Sequence, residues 1–264
     1  MDIRQSAIEI KKYLDLDRLP VGVRFLRTKE EYDNSPARVR DSKITYCNSV
    51  HFASMGDGLK LKKEHQACPK GSFALGLTPE PEGVKNGQVR YNLGLYDTLE
   101  TSKKMSEKTN FIKEEIYAVE LMPLEQCEKE PDVVIVVSGS YNIMRLIQGY
   151  SYKHGYSPNI STVGLQALCR DLTAYPFNED DINISFLCPG TRLVANWKEH
   201  ELGFATSISK WYDIVEGVIK TTNPFERDKN KKKIEKKMDD DQKKELEFGH
   251  NYDSGAYFGG KVEE

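Results

Sequence analysis

No apolar run in the 264 residues approaches the roughly 20 needed to cross a bilayer; stretches such as Val133 to Val137 and Ile182 to Leu187 fall far short. No membrane span is expected. The opening residues, MDIRQSAIEIKKYLDL, mix charge into every turn and lack both an apolar signal core and a small-residue cleavage site, so a cytoplasmic protein is expected. An excess of either charge is missing as well. Lys and Arg total 38 against 41 Asp and Glu, which leaves no overall field to gather nucleic acid or anionic lipid, and no nucleic-acid partner is expected. Cysteine is scarce: five in a chain of this size are too few for a disulfide scaffold, and a reducing compartment disfavours bridges. Thiols or metal ligands are the remaining uses. The chain also lacks a nucleophile elbow, a Walker loop, a dinucleotide fingerprint and a His-Glu-x-x-His zinc motif, which removes the commonest hydrolase, NTPase and dehydrogenase readings.

What is present reads as α/β. A helical pattern carrying Ile8, Ile10, Tyr13 and Leu14 stops near Leu19-Pro20, because a residue before proline disfavours α geometry, and the strand VGVRFL follows. EEIYAVELMPL alternates as a strand, and PDVVIVVSGS is a short β-branched run bounded by Pro131 and Gly139, suited to a buried central strand. In YNIMRLIQGYSYKHG, Ile143, Leu146, Ile147 and Tyr150 lie at helical spacing. Beyond Asn223-Pro224 the composition changes to RDKNKKKIEKKMDDDQKKELE, which is expected to be a charged helical or disordered tail over 224–264. The body is then 1–223.

Within that body four features recur in order. An apolar strand (VGVRFL, then DVVIVVS) precedes a cysteine that opens a helical segment (CNSVHFA, then CRDLTAY), with Val50 and Leu172 each three positions later. A Cys-Pro follows, Cys68-Pro69 lying 21 residues after Cys47 and Cys188-Pro189 lying 19 after Cys169. NLGLYDTLETSKKM then reads against ELGFATSISKWYDI, each as a strand running through a Ser/Thr turn into a helix. This collinearity predicts an internal duplication, with half one about 1–115 and half two about 116–223, forming one pseudo-symmetric mixed-sheet α/β body.

The duplication gives the cysteines a meaning that the dipeptides lack. One cysteine of each half begins a helix and the other sits on a turn before proline, positions where backbone N–H groups and the helix dipole stabilise a thiolate. Two matched pairs bring Cys47, Cys68, Cys169 and Cys188 together about a pseudo-twofold axis, and four thiolates suit an iron–sulfur cubane or a tetrahedral zinc ion. Plain burial as small core groups is the alternative. Cys127, in LEQCEKEP, has no counterpart and is expected to be incidental. His51 and His65 flank Cys47 and Cys68 at ligand-compatible spacing but have no equivalent in the second half, which makes surface or supporting roles the better expectation. VVSGSYN after the central strand, together with Arg145 and Arg192 early in predicted helices, could serve an anionic ligand.

The chain resembles the domain-of-unknown-function family 169, an uncharacterised group known chiefly from archaea and anaerobic bacteria. The resemblance runs from about Ile3 to Val218 and is carried by LPVGVRF, ITYCNSV, ACPKGSFALGL, LGLYDT, PDVVIVV, MRLIQGYSY, ALCRDL, LCPGTR and ELGFATS. It places the same four cysteines on family motif positions, with Gly71, Gly76, Gly190 and Arg192 beside them, and leaves Cys127 outside. Lys70 stands where a glycine is expected after Pro69.

The expected function is a cytosolic iron–sulfur protein, holding a four-iron, four-sulfide cluster on the four cysteines with Gly71, Gly190 and Arg192 around it, and acting in redox or metallocofactor handling with a protein redox or maturation partner. A homo-oligomer is compatible with this. The competing readings are a non-redox protein joined by structural zinc or a cysteine core, and an enzyme or carrier for a small anionic or tetrapyrrole ligand in the cleft between halves.

Overall fold

Val133 to Val137 are five consecutive branched residues, all buried. Strand side chains alternate between faces. Val133, Ile135 and Val137 accordingly enter one apolar cluster while Val134 and Val136 enter another. A strand with so little polar surface belongs in the middle of a sheet covered on both sides, and that is where it lies.

The computed structural model describes residues 1–109, 111–156 and 160–221, so the tail expected from residue 224 lies outside the described residues. Six strands, β1 Val21–Leu26, β2 Leu59–Leu61, β3 Ala118–Pro123, β4 Val133–Gly139, β5 Ile182–Ser185 and β6 Glu201–Ser207, form one sheet in the order β2-β3-β1-β4-β6-β5. Every ladder between them is antiparallel. The expected mixed sheet is thus corrected to an antiparallel one: β1→β2 and β4→β5 each run past one strand position to an edge, and β3 and β6 then fill the places left between. Strands from residues 21–123 lie on one side of the β1–β4 seam and those from residues 133–207 on the other.

The back face is closed by three long helices, Ile3–Leu14, Ser140–His154 and Ile208–Lys220. The last two cross so tightly that a Cβ on Gly217 would stand 2.0 Å from the Gly149 carbonyl oxygen, which leaves glycine as the residue that fits. Trp211 Nε1 donates to Ser6 Oγ at 2.7 Å and ties the first helix to the last. Arg145 is buried here, donating to the Val218 and Thr221 carbonyls at 3.1 and 2.7 Å, so that it staples a helix end. Cys127 also belongs to this face, packed so closely behind β1 that a Cβ on Gly22 would meet its sulfur at 2.8 Å.

The front face carries the cysteine segments: the helices Tyr46–Ser54, Pro69–Ala74 and Pro189–Ala195, and a π-helix, Ala167–Ala174, where an α-helix was expected. Val50 and Leu172 both point into the front core. Between the Cys68 segment and β3 the chain makes three further short helices, Glu82–Lys85, Gln88–Asn92 and Leu99–Glu107. The strand expected in NLGLYDT is not formed: Asn92 ends a helix, Gly94 has φ +68, and β3 takes the sheet position instead.

Candidate functional site

Each of the four front-face cysteines stands in the first turn of its own helix. Cys68 and Cys188 are N-cap residues, followed by Pro69 and Pro189 at the first helical position, where the missing N–H costs nothing and φ is already helical. Cys47 is the second residue of a helix capped by Thr45, whose hydroxyl accepts from Asn48 N at 3.1 Å. Cys169 is the third residue of the π-helix. Gln66 ties two of these turns together, its Oε1 accepting from Tyr46 N at 3.0 Å and from Cys68 N at 3.4 Å. Thr191, buried beside Cys188, hydrogen-bonds the Cys47 sulfur and accepts from Trp197 Nε1 at 3.1 Å.

These turns open on one cavity of about 770 Å³, and Cys47, Cys68, Cys169 and Cys188 all line it. Burial pushes the Cys47 thiol up to about 12, with the facing charges of Cys188 and Cys68 adding to the rise and the Thr191 hydrogen bond opposing it. Cys169 is raised well above its ordinary value by burial, then by Cys47, Cys68 and Cys188. Mutual influence of this kind is the electrostatic signature of a shared site. The direction runs against the stabilised thiolates expected from the helix starts: at Cys47 and Cys169 burial favours the protonated thiol. As the side chains stand, no group of three or more His, Cys, Asp or Glu among the described residues could hold a metal ion. The sulfurs share a cavity wall without forming a closed single-ion site.

Of the other expected residues, Gly190 lines the cavity, whereas Gly71 is buried against Gln66 and Tyr46 beneath it. Arg192 is placed elsewhere. Its guanidinium donates to the carbonyls of Lys198, Phe186 and Glu201 at 2.6, 2.9 and 3.0 Å, tying the loop before β6 to the residue before Leu187. A helix-start arginine and a loop-tying arginine read alike in sequence. His51 packs edge-on against Trp197, near Arg18, and His65 Nδ1 accepts from Lys62 N; neither lines the cavity. Ser138 and Gly139 end β4, which runs directly into the helix starting at Ser140, with Asn142 donating to Ser138.

Sequence reasoning missed Gln66, Thr191, Gln166 and Arg90. Gln166 has φ +54 and begins the π-helix, and its Nε2 donates to the Lys70 carbonyl at 3.3 Å. Arg90 reaches it from the short helices, Nη2 donating to Gln166 Oε1 at 3.1 Å. A side chain that matters through a partner tens of residues away leaves no local pattern.

The family described as Uncharacterised ArCR matches residues 9–217 of the chain. A protein of Methanocaldococcus jannaschii, itself named only as uncharacterised, is 27% identical over 219 residues, spanning 82% of this chain and 94% of the relative. No solved structure matches the chain.

Proposed function

The chain belongs to this uncharacterised family, DUF169, and we propose that it is an iron–sulfur protein whose centre is held by Cys47, Cys68, Cys169 and Cys188. The observation that carries the reading is the convergence of four helix first turns, each bearing one cysteine, on a single cavity. Four cysteines around one open volume suit a centre that brings its own bridging sulfides. When bound, such a centre supplies one-electron transfer.

The protein's own residues prepare the site in three ways. Helix N-termini direct their positive ends at the anionic sulfurs, Thr191 donates to the Cys47 sulfur, and the front core excludes water from Cys169. Cys47 and Cys169 hold their protons when the site is empty, so loading expels them and strengthens with rising pH. Exposed Phe186, Leu193 and Val194 beside Cys188 support docking of a redox or maturation partner. No helix among the described residues is long and apolar enough to cross a membrane, and five free cysteines suit a reducing cytoplasm.

The sheet order supports the internal duplication on which the reading rests. With β1, β2 and β3 matched to β4, β5 and β6, the order reads the same from either edge, and Cys47 and Cys169 both follow the seam strand while Cys68 and Cys188 both precede the middle one. In this reading the boundary between the halves along the chain falls between β3 and β4, later than residue 115. Anaerobic purification of the full chain tests the function: a brown protein with broad visible absorption, iron and acid-labile sulfide is expected, whereas a colourless protein carrying zinc or no metal contradicts it.

A further inference from the structure

The two Cys-Pro segments lead back to the sheet by unequal routes. From Cys188 the chain reaches β6 through residues 189–200, while from Cys68 it takes residues 69–117 and builds the three short helices before β3. Holding four sulfurs does not require that excursion. What it contributes is a wall: Pro81, Val84, Val89 and Leu95 line the cavity opposite Leu165 and Val194. A volume of about 770 Å³ falls within the range of sites for small organic molecules and leaves room beyond a metal centre.

The cavity is apolar with one sign of charge. Among the described lining residues the ionisable side chains other than the cysteines are Lys70 and Arg90, both cationic. Arg90 is 6% exposed, and its hydrogen bonds go to neutral acceptors: the Val84 carbonyl at 3.0 Å, Ser106 Oγ at 2.9 Å and Gln166 Oε1 at 3.1 Å. Among the described residues it forms no ion pair with a carboxylate. Burial drives the Arg90 pKa below its ordinary value, against the opposing influence of Tyr96 and of the Glu80 carboxylate, which stands near it without forming an ion pair. The arrangement stabilises an anion brought from outside.

We propose that this cavity is a binding compartment for a small organic acid with an apolar body, its carboxylate held by Arg90 and Lys70 and its body against the wall built by residues 81–95. Arg90 donates to Gln166 Oε1 and Gln166 Nε2 donates to the Lys70 backbone carbonyl, so an acid group bound at Arg90 lies beside the turns that carry Cys68 and Cys169. The compartment rests on the cavity's walls and charge, so it stands whether or not a metal centre is present.

Isothermal titration calorimetry of the full chain with octanoate and with octylammonium tests this. Octanoate is expected to bind at one site and octylammonium at least about tenfold more weakly. Lys70→Gln should weaken octanoate about threefold or more, and Leu95→Trp, a change at a rim residue that is 41% exposed and so tolerable to the fold, at least about tenfold. Equal affinity for the two probes, octanoate binding that survives Leu95→Trp, or no octanoate binding at millimolar concentration overturns the proposal. Iron content measured on the same Leu95→Trp sample is expected to match wild type, which separates failure of the compartment from failure of the metal reading.

Discussion

The two faces of one sheet use the same residue types for opposite ends. On the back, three long helices interlock over Val134, Val136 and Phe204, and Cys127 is a small apolar filler against Gly22. On the front, short helices point their first turns at a common space, and four cysteines stand where the back would place leucines. Close packing reaches native density by leaving no voids. A face that keeps about 770 Å³ open forgoes packing that would otherwise stabilise the fold. Cys127 and Cys169 are both buried, so burial alone does not tell them apart; Cys169 lines a cavity with three other cysteines and Cys127 does not.

The contrast breaks most visibly at the back. Gly217→Val inserts side-chain atoms where even a Cβ would lie 2.0 Å from a backbone oxygen, and should cost about 3 kcal/mol or more, read as a lowered denaturation midpoint with the four front-face cysteines untouched. The front should instead respond to pH. In metal-free protein the Cys47 thiol, raised from its ordinary value to about 12, favours folding fully below the unfolded pKa of about 8.5, and that contribution is lost as pH rises toward the folded value. Cys169 shifts in the same direction. The melting temperature of metal-free protein should therefore fall between about pH 8.5 and 12 more steeply than that of loaded protein, whose ligands carry no proton to lose. Parallel melting curves with and without metal check this.

Much of the front was legible because its logic is local. A cysteine opening a helix and a Cys-Pro turn are patterns of adjacent residues: Cys47 and Cys169 lie near helix starts, and Cys68 and Cys188, read as turn residues before proline, cap the helices that follow. The central strand was equally plain, since Val133 to Val137 leave no polar face to expose. NLGLYDT misled for the same reason that ELGFATS did not: both alternate, but Leu93 and Leu95 are exposed in the excursion while Phe204 and Ala205 are fully buried in β6. Strand alternation reports which side chains could share a face, and only the tertiary fold decides whether β3 has already filled the slot. Antiparallel pairing was illegible because loop lengths alone did not show which neighbour each strand would join. Arg192, Arg90 and Gln66 act through carbonyls and amides distant in sequence or indifferent to side-chain identity, so no spacing marks them.

The central claim, that four front-face sulfurs serve one centre and the back-face sulfur does not, is tested most directly by iron and sulfide stoichiometry in five single Cys→Ser variants prepared anaerobically beside wild type. Wild type is predicted to carry about four iron and about four sulfide per chain, with substantial loss in the variants of Cys47, Cys68, Cys169 and Cys188 and none in Cys127→Ser. A wild-type protein without iron and sulfide, or five variants that lose them alike, would contradict the account.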